Sequence, residues 1–233
     1  MPERLPIVLL PGVRCSARLF SPQIPALWRF GPVTVADHTR GDTVAEIARR
    51  ILDASPPRFA LVGLSLGGYI AFEMLRQAQD RVARLALLDT SARPETPEQA
   101  ARREPQIALA KAGRYDEAAR QQFPLIVYRS RHGDEALRRE YLTMAEETGV
   151  EVFLRHQRAV MQRPDSRPDL GAIRCPTLVL VGDADELTPP ALSEEIAAGI
   201  RGSRLVIVPE CGHLATLERP AAVTQALIEL LRP

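Results

Sequence analysis

The sequence predicts an α/β fold: a mostly parallel sheet of about six strands, helices on its faces, and one helical insertion. Three observations carry that prediction. Six short apolar runs lack polar alternation, as strands buried on both faces do. Helical patterns separate most of them, which is the mark of βαβ units. One strand-to-helix junction, Phe59-Ala60-Leu61-Val62-Gly63-Leu64-Ser65-Leu66-Gly67-Gly68-Tyr69, puts a serine at the apex of a tight, glycine-flanked turn.

In chain order, the predicted strands are 7–10, 33–36, 59–62, 85–88, 177–181 and 205–208. Thr43 and Glu46 have capping-box spacing and open a helix predicted to reach about Asp53. After Ser65, the stretch 66–77 is helical in composition, with Ile70, Met74 and Leu75 at helical spacing. The stretches 190–200 and 220–231 supply two more helices, each with proline in its first turn.

The alternation stops between Leu88 and Thr177. Thr96 and Gln99 form a second capping box, whose helix is expected to kink or stop near Pro105, ahead of Gly113. Helical patterns continue over 116–122, 134–148 and 150–161, and Pro164, Pro168 and Gly171 return the chain to the sheet. The expected organisation is a core domain formed by 1–93 and 170–233, with a helical cap over 94–169. A cap that selects substrate and a plain packing layer both fit this pattern. Residues such as Ile107, Leu125, Ile126, Phe153 and Met161 are its candidates for contact with a substrate.

A chain of 233 residues suits one compact domain with a sizeable core. A net charge of +1 gives no reason to expect a nucleic-acid partner or an anionic membrane surface. Cys15, Cys175 and Cys211 have unrelated spacings, and there is no Cys-x-x-Cys or histidine cluster. No disulfide framework, metal site or cofactor is therefore expected. The apolar opening run is too short for a signal peptide or membrane span, so a cytoplasmic location is the expectation.

A serine hydroxyl is too weak an acid to attack a carbonyl unaided; it needs a base in hydrogen-bond reach, itself oriented by a carboxylate. Among the four histidines, His213 follows the last predicted strand. His38 also follows a strand but precedes Ser65, while His132 and His156 lie among arginines in the insertion. For the acid, Asp183, Asp185 and Glu186 crowd the loop after the fifth strand, and Asp89 ends the fourth. Asp185 is taken as the acid, with Asp183 as a turn cap and Glu186 facing water.

Gly63-Leu64-Ser65-Leu66-Gly67-Gly68, Asp185 in the loop that Gly182 opens after the fifth predicted strand, and Gly212-His213 together resemble the α/β-hydrolase superfamily along the whole chain. The resemblance implies that Ser65 is the nucleophile, that the order serine, acid, histidine is the triad, and that the backbone N–H groups of Leu66 and Val13 form the oxyanion hole. It also implies that the chain begins on what is usually the third strand. Pro11-Gly12 stands where many relatives have His-Gly. A serine at the elbow argues against the epoxide hydrolase and haloalkane dehalogenase branches, which need a carboxylate nucleophile. The leading expectation is a cofactor-independent serine esterase acting on a small-molecule ester, lactone or thioester. A C–C hydrolase or lyase using the same triad as base is the alternative, and a low-turnover ligand receptor is a third.

Overall fold

The computed structural model describes residues 4–232. Its sheet is built from β1 (Ile7–Leu10), β2 (Val33–Val35), β3 (Phe59–Leu64), β4 (Val82–Leu88), β5 (Thr177–Gly182) and β6 (Arg204–Val208). Every neighbouring pair is parallel, and the spatial order is β2-β1-β3-β4-β5-β6. Five of the strands match or extend the apolar runs of the sequence, by up to three residues, while β2 stops at Val35, one residue short of the predicted run. The extensions follow hydrogen bonding rather than hydropathy: Gly63, for instance, pairs with both Leu10 and Leu87.

Helices α1 (Ile24–Leu27), α2 (Val44–Ala54) and α3 (Leu66–Ala78) precede or separate the early strands. The insertion holds α4 (Pro97–Lys111), α5 (Tyr115–Ile126) and α6 (Glu135–Met161), and the C-terminal part holds α7 (Pro190–Gly199), α8 (Ala215–Glu218) and α9 (Pro220–Leu231). Period-two alternation of strand side chains feeds two cores. Ile7, Leu9, Val62 and Leu180 pack against one face with Leu227 of α9 and Phe123 of α5. Val8, Leu10, Leu61 and Val179 pack on the other with Ile47 of α2, Ile70 of α3 and Ile196 of α7. Each such side chain, fully buried, contributes roughly 1.5–3 kcal/mol.

Two details of the insertion differ from the sequence reading. Helix α4 continues through Pro105 to Lys111 instead of stopping. Proline leaves the carbonyl of Ala101 without its helical partner, but Ala101 and Pro105 are both exposed, so water can take that bond. Helix α5 likewise runs past Pro124 to Ile126. The break expected between Thr148 and Val150 is present as a non-helical Gly149, at φ 77°, within α6. The ends of the insertion are tied together by Glu95, which pairs with Arg103 at 2.6 Å and with the buried Arg163. Gln99 closes its capping box on Thr96 and also accepts from Arg163 at 3.3 Å.

In this strand order the chain runs to opposite sides of β1, toward β2 on one and β3 on the other. Open α/β sheets bind ligands beside the carboxyl ends of strands at such a switch point. The loop Pro11–Cys15 leaves β1 there, and Ser65 leaves β3 there.

Candidate active site

Ser65 stands between β3 and α3 at φ 56°, ψ −113°, a conformation that costs on the order of 1–3 kcal/mol for a residue with a side chain. The turn is so tight that a Cβ on Gly63 would run into the backbone of Gly67, and one on Gly67 into the carbonyl of Leu10. The glycines of the motif are therefore steric requirements. Hydrogen bonds fix the apex: Ser65 N–H donates to Leu88 O at 3.0 Å, and its own carbonyl accepts from Thr90 Oγ1 at 2.9 Å. The hydroxyl is left at the positive end of the α3 dipole.

The histidine comes from the loop after β6. His213 Nε2 accepts from Ser65 Oγ at 2.9 Å, and its Nδ1–H donates to Asp185 Oδ2 at 2.7 Å. That pair of bonds sets the tautomer, because the carboxylate can only accept. His213 is 5% exposed and Asp185 2%. Asp185 is itself held by Leu187 N–H and Thr188 N–H at 2.9 and 3.0 Å, and by the Thr188 hydroxyl at 2.7 Å. Serine, histidine and aspartate thus form one continuous chain of hydrogen bonds.

The other candidates fall elsewhere. Asp89, at φ 44°, accepts from Gly182 N–H at 3.0 Å and Ala215 N–H at 3.3 Å and does not bond His213. It bridges the loops that carry Asp185 and His213. Burial, and then the neighbouring Asp185 carboxylate, push its carboxyl well above the usual range. Asp183 accepts from Cys211 N–H at 3.1 Å, a turn-holding role. Glu186 is exposed and lines the same cavity as Ser65.

The N–H of Leu66 lies in the first turn of α3, where no helical acceptor exists. The N–H of Val13 donates to no protein acceptor among the described residues. Gly12 brings the β1 loop so near the elbow that a Cβ on it would lie 3.4 Å from Ser65 Cβ. Val13 and Ser65 border one cavity of about 450 Å³. Its opposite wall comes from the insertion, including Leu125 and Ile126 of α5, whereas Phe153 is buried away from it. Leu125 and Leu187, both partly exposed, sit on its rim.

Sequence reasoning did not find the residues that hold this site in place. Glu218, five positions after His213, is buried in α8; its carboxylate accepts from Gly212, Leu214 and Tyr128 N–H groups at 2.7–3.2 Å. Burial pushes its carboxyl up. The rings of His38 and His156 stack with centroids 4.7 Å apart. His156 Nε2–H donates to the His38 carbonyl at 3.0 Å, and His38 Nε2–H to the Gly12 carbonyl at 3.2 Å. Burial drives their pKa values down to about 3 and about 4. Only a carboxylate near the histidine, and a histidine just past a strand, could have hinted at these roles.

A six-stranded parallel sheet with a strained serine at a strand–helix turn, backed by histidine and aspartate from two later loops, defines a class of enzyme. The chain matches the alpha/beta hydrolase family over residues 7–226, and it belongs to that family. Among its relatives is the pimeloyl-acyl-carrier protein methyl ester esterase of Neisseria meningitidis, 27% identical over 229 residues that cover 93% of this chain and 88% of that protein. The 2-hydroxy-6-oxononadienedioate/2-hydroxy-6-oxononatrienedioate hydrolase of Klebsiella pneumoniae is 27% identical over 219 residues, 88% of this chain and 73% of that one. A thermophilic esterase from Thermogutta terrifontis superposes with a TM-score of 0.86 at 30% identity, covering 98% of this chain and 89% of its own. The protein is therefore a hydrolase-family enzyme with esterases among its relatives. None of the helices among the described residues is long and apolar enough to cross a membrane.

Proposed function

We propose that the protein is a serine esterase that cleaves a small-molecule carboxylic ester, with a lactone or thioester as related substrates. The observation that carries this reading is the unbroken relay from Ser65 Oγ through His213 to Asp185, at 2.9 and 2.7 Å, with Ser65 and His213 lining the cavity. Ser65 Oγ attacks the carbonyl carbon while its proton passes to His213 Nε2. Asp185 holds the imidazole and stabilises its charged form. The N–H groups of Leu66 and Val13 receive the developing oxyanion. The tetrahedral adduct then collapses, and His213 returns the proton to the leaving alkoxide. A water molecule gives its proton to His213 as it attacks the acyl-enzyme, and the acid departs with Ser65 restored.

In this reading residues 94–169 act as a cap. The triad sets which bond breaks, and the cap side chains that reach the cavity set what fits beside it. A panel of p-nitrophenyl esters of increasing acyl length tests both parts. We expect turnover that Ser65→Ala abolishes, and a chain-length optimum that Leu125→Ala or Ile126→Ala shifts by roughly tenfold in kcat/KM between neighbouring lengths. An enzyme with no turnover on esters, lactones or thioesters contradicts the first part. A profile unchanged by both truncations in folded protein contradicts the second and returns the insertion to a packing role.

A further inference from the structure

Arg14 lies two residues beyond Gly12 on the loop that approaches Ser65. It is 1% exposed and sits at φ 61°, a left-handed conformation that side chains disfavour. Its guanidinium carbon stands 3.9 Å from the centre of the Phe153 ring and 5.3 Å from that of Tyr115. Its nitrogens donate to Gln122 Oε1 and, at 3.3 Å, to Gln106 Oε1, while Nε is buried with no partner. Among the described residues no carboxylate pairs with it. The other buried arginine, Arg163, has Glu95 as its counter-ion. A buried cation without a counter-ion is costly, and ring faces with two neutral amides offset only part of that cost.

The geometry of the two amides gives this cation a use. A guanidinium has donors only, so each glutamine must turn its oxygen toward Arg14 and its NH₂ away from it. Gln106 and Gln122 both line the cavity that contains Ser65. Among the described residues no protein acceptor takes their Nε2 hydrogens. The cavity wall therefore offers N–H donors with a buried positive charge behind them, and the carboxylate that lines the same cavity, Glu186, is exposed in the loop after β5. Arg102 adds a solvent-facing cation to the same wall.

We propose that Arg14, Gln106 and Gln122 form an anion subsite, and that the substrate is an ester or lactone carrying a free carboxylate remote from the scissile bond. The inference rests on the esterase reading of the same cavity. The substrate carboxylate accepts from the two carboxamide NH₂ groups and supplies the counter-ion that the fold withholds from Arg14. Binding there places the scissile carbonyl over Ser65.

The experiment compares charged and neutral members of two ester series. Monomethyl esters of dicarboxylic acids from succinate to suberate are set against their dimethyl esters, which probes a carboxylate on the acyl side. O-acetyl hydroxy acids are set against their methyl esters, which probes the alcohol side. In the wild-type enzyme one series is expected to show kcat/KM at least about tenfold higher for the charged member at its best length, the scale of a hydrogen bond to a charged group. Arg14→Met removes the cation; Gln122→Glu gives it an internal counter-ion and remains informative if Arg14→Met does not fold. Either change should cut the charged-to-neutral ratio about tenfold or more. A preference for the neutral member at every length in both series overturns the proposal, as does a ratio that survives in folded Gln122→Glu. Hydrolysis of neutral esters without charge preference defeats this inference alone, whereas no hydrolysis of any member defeats the esterase reading with it.

Discussion

At the scale of single residues, the choice between two buried acids decides how the histidine is oriented. Asp185 reaches His213 Nδ1 at 2.7 Å, while both oxygens of Asp89 are taken by Gly182 and Ala215 N–H groups. Asp185→Asn should reverse or loosen the imidazole and lower kcat by roughly 10⁴-fold with the fold retained. Asp89→Asn sets an NH₂ against one of two N–H donors, so it should lower Tm and leave kcat within about tenfold of wild type. Steady-state kinetics and thermal melts on both variants check this; a large kcat loss at Asp89 with a near-normal Asp185→Asn would move the acid to β4. Much of this was legible in the sequence. Ser65 and His213 were marked by strand ends and glycines, and those are backbone requirements that leave a local trace. The contest between Asp185 and Asp89 was not decidable from residue order, because both follow strands. Which of them faces the imidazole depends on where two distant loops meet.

At the scale of elements, the structure ties the loop after β1 to its neighbours through two histidine rings as well as through the Arg14 cation. His38, past β2, holds the Gly12 carbonyl, and His156 of α6 stacks on it and holds its backbone. The stack links the insertion to the loop that carries Val13. Both rings have folded pKa values below the ordinary 6.5, at about 4 for His38 and about 3 for His156. The unfolded chain therefore takes up these protons first as pH falls. The stabilisation is complete above about pH 6.5 and is lost from there toward about pH 4 for His38 and about pH 3 for His156, at up to about 1.4 kcal/mol per pH unit for each ring. Asp89 and Glu218, whose carboxyls are raised by burial, act in the opposite sense, so the rings are isolated by difference. Urea unfolding of wild type and His156→Leu between pH 7.5 and 4.5 should show a pH slope shallower by about one proton in the variant. Equal slopes would mean that the buried ring does not titrate on unfolding. None of this was readable from the sequence, where His156 sat among arginines. Neighbouring residue types report a surface or a helix face, but not which ring a fold will stack on another. The continuous α4 teaches the same lesson: proline weakens a helix locally, yet the carbonyl it leaves without a helical partner belongs to an exposed residue, Ala101, and is open to solvent.

At the scale of the whole molecule, six parallel strands bring three loops to one edge, and residues of the insertion line the cavity beside them. The apolar runs made the sheet legible, because strands buried on both faces must be apolar almost throughout. The cavity's polar wall was not legible, since Arg14 and the glutamines that contact it lie about a hundred residues apart in sequence. The central claim is that this assembly makes Ser65, alone among the serines, nucleophilic. Fluorophosphonate labelling followed by peptide mapping tests it most directly. The account predicts one label, on Ser65, that Ser65→Ala eliminates and His213→Ala strongly slows in folded protein. A label mapped to Ser16 or Ser91, or labelling undiminished in Ser65→Ala, would contradict it.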